Sequence, residues 1–116
     1  MTALHISIDG SIKNAWPAAR LGCLLYTVDV RLRDDALWAC LETEVSPYLK
    51  TMLETTPLAQ IPNLDESRKA YKAFGKDPGR FRVSSEALYR RVRQGKDLYR
   101  INTVVDANNL MSLETG

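Results

Sequence analysis

Apolar and polar residues alternate along Leu4-His-Ile-Ser-Ile-Asp9, a period of two that predicts a strand, closed by a turn at Asp9-Gly10. Leu21 to Val30 (Leu-Gly-Cys-Leu-Leu-Tyr-Thr-Val-Asp-Val) is rich in β-branched and aromatic residues. Its nearly continuous apolar start predicts a second strand, buried on both faces at the centre of a small sheet. The period then changes. Leu37, Leu41, Val45, Leu49 and Leu53 recur every four positions, which predicts a helix from Asp35 to about Leu53 with Asp34 or Asp35 as N-cap. Pro47 should kink or divide it.

Thr55 to Asn63 carries Pro57 and Pro62 and reads as a short connection anchored by Leu58 and Ile61. Asn63 and Glu66 have the form of a capping box for the next helix. Ala70, Tyr71 and Phe74 supply that helix with an apolar face, and Gly75 ends it. Lys76-Asp-Pro-Gly79 is a turn signal. Ser84 or Ser85 should then cap a helix that runs to about Gln94 and packs through Leu88 and Val92. A last helix places Asp106 and Asn109 on one face.

Composition narrows the function classes. The 116 residues, 45% hydrophobic and 26% charged, fit one domain over residues 1–116. No apolar run approaches the roughly 20 residues of a membrane span, and no secretion signal opens the chain, so a cytoplasmic protein without a membrane partner is expected. Cys23 and Cys40 lie in apolar stretches outside any Cys-x-x-Cys pair and read as reduced core residues. His5 is the single histidine and belongs to the polar face of its strand. A four-ligand zinc site and a Ser-His-Asp triad are therefore not expected, and neither is any cofactor.

Charge is unevenly distributed. Arg68 to Arg100 holds eleven Lys or Arg against three acids, whereas the rest of the chain holds five basic residues against eleven acids. A segment of +8 inside a remainder of −6 is suited to an anionic partner, because phosphate neutralisation supplies the sequence-independent part of nucleic-acid affinity. Solvated helix faces are the plainer account of the same charges. The string Gly-Lys-Asp-x-x-Arg occurs at Gly75 and again at Gly95, each time after a predicted helix. Both glycines read as helix terminators, and neither string is a phosphate-binding P-loop.

Arg68-Lys-Ala-Tyr-Lys-Ala-Phe-Gly-Lys-Asp-Pro78, Ser84-Ser-Glu-Ala-Leu88, Arg90-Arg91 and Gly95-Lys-Asp-Leu-Tyr-Arg-Ile-Asn102 resemble the free-standing relatives of the third and fourth (B3/B4) domains of the phenylalanyl-tRNA synthetase beta subunit. Val104-Val-Asp-Ala-Asn-Asn-Leu-Met-Ser-Leu-Glu-Thr-Gly116 is similar to that family's Val-Val-Asp-x-x-Asn-x-x-x-Leu-Glu-x-Gly. The resemblance covers about Asn63 to Gly116. It implies an α+β fold, a small mixed or antiparallel sheet packed with several helices. It also implies hydrolysis in trans of tyrosine misesterified to tRNA, a second site supplying discrimination that an apolar pocket cannot. A positioned water would attack the ester, aided by hydrogen-bond donors at the oxyanion. The family pattern continues beyond Gly116 through further strands that line the amino-acid pocket. The resemblance thus implies the N-terminal part of a larger domain, with self-association or a completing chain covering an exposed apolar face.

The residues to watch follow from both readings. Arg80, Arg82, Arg90, Arg91, Lys96 and Arg100 are the candidate phosphate contacts, Arg90 and Arg91 as exposed cations. Phe81, Tyr89 and Tyr99 are candidate stacking surfaces for unpaired bases. Ser84, Ser85 and Glu86 are candidates for the mouth of the substrate pocket, although a helix N-terminus of this composition needs no ligand to explain it. Asn102, Asp106 and Asn109 complete the pocket candidates, with Asp106 and Asn109 ordering backbone rather than touching substrate. No residue is assigned the chemical step. The rivals to an editing hydrolase are a binding module for tRNA or an amino acid, and an incomplete domain without activity of its own.

Overall fold

The computed structural model describes residues 3–116. Asp34, in extended geometry, accepts the Leu37 N–H at 3.0 Å and so caps α2 (Asp35–Cys40). The helix passes without a break through a π turn (Leu41–Val45) into α3 (Ser46–Thr55). Pro47 accounts for the wide turn. A proline ring clashes with the carbonyl four residues back, and widening the coil, with the Ser46 N–H donating to the Leu41 carbonyl, lets the chain continue. The predicted division at Pro47 takes this form.

A 3₁₀ turn (Leu58–Gln60) leads to α4 (Pro62–Ala73), followed by α5 (Ser84–Arg93) and α6 (Thr103–Thr115). Two predicted caps are corrected. Asn63 sits inside the first turn of α4, after Pro62, and its amide donates to the Thr115 carbonyl at the end of α6. Val83 occupies the N-cap position of α5 with no side-chain cap, because it packs on the core and so sets where the helix starts. Both predicted terminators hold. Gly75 (φ +76) and Gly95 (φ +70) take the left-handed conformation, and the next residue's N–H reaches back to Tyr71 and to Arg91, closing a Schellman motif each time. Gly95→Ala should therefore lower stability by about 1 kcal/mol in urea denaturation; an unchanged midpoint would show that the turn relaxes.

The core is helical throughout. Trp38, Leu41, Leu49 and Leu53 meet Leu58, Ile61 and Leu64, and these pack with Leu88, Tyr89, Val92 and Leu113. The Tyr89 hydroxyl donates to the Leu113 carbonyl at 2.6 Å, joining α5 to α6, and burial pushes its phenol up.

The expected α+β fold is overturned: among the described residues there are helices and no strand. Asp9-Gly10 opens α1 (Gly10–Ala15), with the Asp9 carboxylate accepting the Ser11 N–H, rather than a turn between strands. Leu21 to Val30 is not the buried centre of a sheet; Leu24 is 89% exposed, and Cys23, expected in a core, is exposed too. A strand needs a neighbour for its backbone groups, and the helices from Asp35 onward bury their apolar faces against one another. The unpacked N-terminal segment expands the molecule: its radius of gyration is 16.4 Å, against roughly 13 Å for a compact chain of this length.

Candidate functional site

Two carboxylates are buried, and neither is free. Glu86, 1% exposed on the first turn of α5, receives Arg68 from α4, with Nη2 2.5 Å from Oε1, and Arg90 from the next turn, with Nη2 3.0 Å from the same oxygen. Burial opposes ionisation. The hydrogen bonds and charges of Arg68 and Arg90 outweigh it and hold the carboxyl below its ordinary value, while the bond to Glu86 raises Arg68. Arg90 is thus half-buried and engaged, not an exposed cation. Of its neighbours, Ser84 is exposed and Ser85 buried. This cluster clamps α4 to α5.

Asp106, also 1% exposed, accepts the Trp38 Nε1–H at 3.1 Å through one oxygen and the Ile101 N–H at 3.0 Å through the other. Asn102 caps α6 by accepting the Val105 N–H at 2.9 Å. Asn109 is half-buried one turn further on. Asn102 and Asp106 order the start of α6 and fix Trp38, whereas Ser84, Ser85 and Glu86 lie on another helix.

A cleft of about 570 Å³ opens between the π turn and α3 on one side and residues 95–100 on the other. Trp38, Glu42, Lys50, Lys96, Asp97 and Arg100 are among its lining residues. The Arg100 guanidinium stacks 4.5 Å over the Trp38 ring and pairs with Glu42. Arg91, behind the loop, stacks 4.1 Å over Tyr99, donates to the Tyr99 hydroxyl at 3.1 Å and donates to the Asp97 carbonyl at 2.7 Å. It therefore shapes the loop that carries Lys96 and Arg100. Lys50 and Lys96 are exposed and pair with no carboxylate among the described residues.

The six candidate phosphate contacts divide into groups. Lys96 and Arg100 share the cleft, with Arg91 beside it. Arg80 and Arg82 are exposed before the start of α5, which at ten residues is roughly 15 Å long. Phe81 is exposed there under Lys76 and Arg80, whose charges lie 5.2 and 5.6 Å from its ring centre. Tyr99 is likewise exposed, but Tyr89, expected as a stacking surface, is buried in the core. Sequence reasoning missed Trp38, Glu42 and Lys50. One signal was available for Trp38: a buried indole N–H needs an acceptor, and few buried acids could serve.

Among the described residues no cluster of three His, Cys, Asp or Glu could hold a metal ion, and no helix is long and apolar enough to cross a membrane. The chain matches no protein-family model, no curated protein and no solved structure.

Proposed function

We propose that this chain is an RNA-binding module that takes a tRNA through the cleft beside Trp38 and works in the cytoplasm, where that partner is found. The observation that carries the reading is the cleft's unpaired cationic rim, Lys50 and Lys96, next to the stacked Arg91–Tyr99 and Arg100–Trp38 pairs. Ammonium groups without carboxylate partners are available to phosphate oxygens, and the exposed Tyr99 offers a face to an unpaired base. Glu42 and Asp97 line the same cleft, one on each wall, so the favourable path of a phosphate backbone is the one that passes Lys50 and Lys96. Binding is preferred to trans editing because the cleft offers open cations suited to phosphate, whereas the pocket candidates Glu86 and Asp106 are both held by structural partners.

The test is a titration of labelled tRNA at several salt concentrations. Lys50→Ala with Lys96→Ala should weaken binding about tenfold at low salt and reduce the salt slope by about 0.7 for each phosphate no longer neutralised, with the fold intact. The same tRNA charged with tyrosine reports hydrolysis in parallel. Salt-sensitive binding without release of the amino acid supports the module. Release above background makes the chain a deacylase instead, and an unchanged slope in the double variant overturns the cleft as the RNA site.

A further inference from the structure

Among the described residues, the backbone of 20–30 forms no hydrogen bond with another backbone group, although the segment carries Leu21, Leu24, Leu25, Tyr26, Val28 and Val30, all exposed. It rejoins the fold at Arg31. There Arg31 donates its N–H to Thr103 Oγ1 at 3.0 Å and accepts the Thr103 N–H at 2.9 Å. A residue whose N–H and C=O face the same way has strand geometry, and its immediate neighbour turns both groups to the opposite edge. Val30 therefore presents an unused donor and acceptor away from α6. On the opposite side of the segment a groove of about 610 Å³ separates it from α6, with Tyr26, Val28, Val104, Ala107 and Met111 in its lining, so the segment stands clear of the helices along most of its length. An open edge of this kind is a template for strand addition.

The charges identify what fits. Asp29 and Arg31 lie on one face of the segment, 3.2 Å apart as an ion pair and largely exposed. Against an antiparallel copy of itself, a register centred on Asp29 sets two carboxylates opposite each other, and one centred on Arg31 sets two guanidiniums opposite each other. Centring on Val30 puts Asp29 of each copy opposite Arg31 of the other and aligns the two unused edges of Val30 for a hydrogen-bonded pair. Val28 then faces Leu32, where the chain bends and the pairing stops. We infer that the segment around Val30 is a self-complementary edge through which two copies of this chain pair as an antiparallel ribbon.

Sedimentation velocity over a concentration series tests this. The wild type should pass from monomer to dimer, with amide exchange slowing at Val30 but not at Asp29 or Arg31 as concentration rises. Val30→Pro removes the donor from a segment with no internal backbone bonds, so the helices should stay folded by circular dichroism while the dimer is lost. Arg31→Asp should weaken the dimer about tenfold, and Asp29→Arg combined with Arg31→Asp should restore it by exchanging the two charges. A monomer at every concentration, or a dimer indifferent to these substitutions, overturns the inference. So does a charge-exchanged variant no tighter than the single one, because it removes the proposed register.

Discussion

Trp38→Ala is expected to lower the unfolding free energy by about 3–5 kcal/mol, read from urea denaturation followed by circular dichroism. The ring is 5% exposed and packs where α2, the π turn and α6 meet, so its removal leaves a cavity. The loss extends beyond packing. Asp106 would be left buried with only the Ile101 N–H, and Arg100 would lose the face it stacks on. Trp38→Phe separates the two contributions. It keeps most of the ring but removes the donor, and should cost about 1–3 kcal/mol for the buried carboxylate it deprives. A Phe variant as stable as the wild type would show that the bond between Trp38 and Asp106 contributes nothing to folding. Because Trp38 lines the cleft and carries the Arg100 stack, the proposed RNA binding should also weaken in a Phe variant that is still fully folded.

Glu86→Ala should cost about 2–3 kcal/mol. Breaking a fully buried ion pair costs more than this, but Arg68 and Arg90 keep side-chain exposures of 26% and 29%, so water partly resolvates them after the carboxylate is gone. Glu86 also sets an acid limit. Its carboxyl titrates lower in the folded protein than at its ordinary 4.5, so the clamp's contribution is fully present above about pH 4.5. That contribution is lost as pH falls through the lowered folded value. Stability measured from pH 6 to pH 2 should therefore decline more steeply in the wild type than in Glu86→Ala. Parallel curves would show that the carboxylate is not the linked group. Arg90→Ala should also lose stability, whereas Lys96→Ala, on an exposed loop, should not.

The helical half of the molecule was legible because its signals are local. Apolar side chains four apart need only their own helix to share a face, so Leu37 through Leu53 announced α2 and α3, and Pro47 announced the disturbance between them. Gly75 and Gly95 ended their helices through a backbone conformation that glycine adopts without strain. The caps were less legible. A serine or asparagine near a helix start competes with how neighbouring apolar residues pack, and at Val83 and Pro62 the packing and backbone geometry prevailed.

Two carboxylates that read as pocket residues illustrate the limit. Glu86 lies in a serine-rich helix start, and nothing in that neighbourhood identifies Arg68, eighteen positions earlier, as the charge that meets it. Asp106 lies in a Val-Val-Asp string that carried the family likeness, but its chief partner is an indole 68 positions away. The six arginines and lysines likewise formed one basic segment in sequence. Folding placed Arg80 and Arg82 before α5, drew Arg90 inward and left Lys96 and Arg100 at the cleft.

By itself the sequence determined that helices form after Asp34 and where glycine ends two of them, that Leu41, Leu49, Leu53, Leu58, Ile61, Leu88 and Val92 supply part of the core, and that positive charge concentrates between Arg68 and Arg100. These properties depend on side-chain spacing and backbone preference over a few residues. Tertiary structure alone decided which charges are spent on one another, which cations remain open to a ligand, and that the strand-like Leu21 to Val30 lacks a neighbouring strand. A strand is completed by hydrogen bonds to another segment and a buried charge by a partner across the fold, and spacing along a chain carries neither.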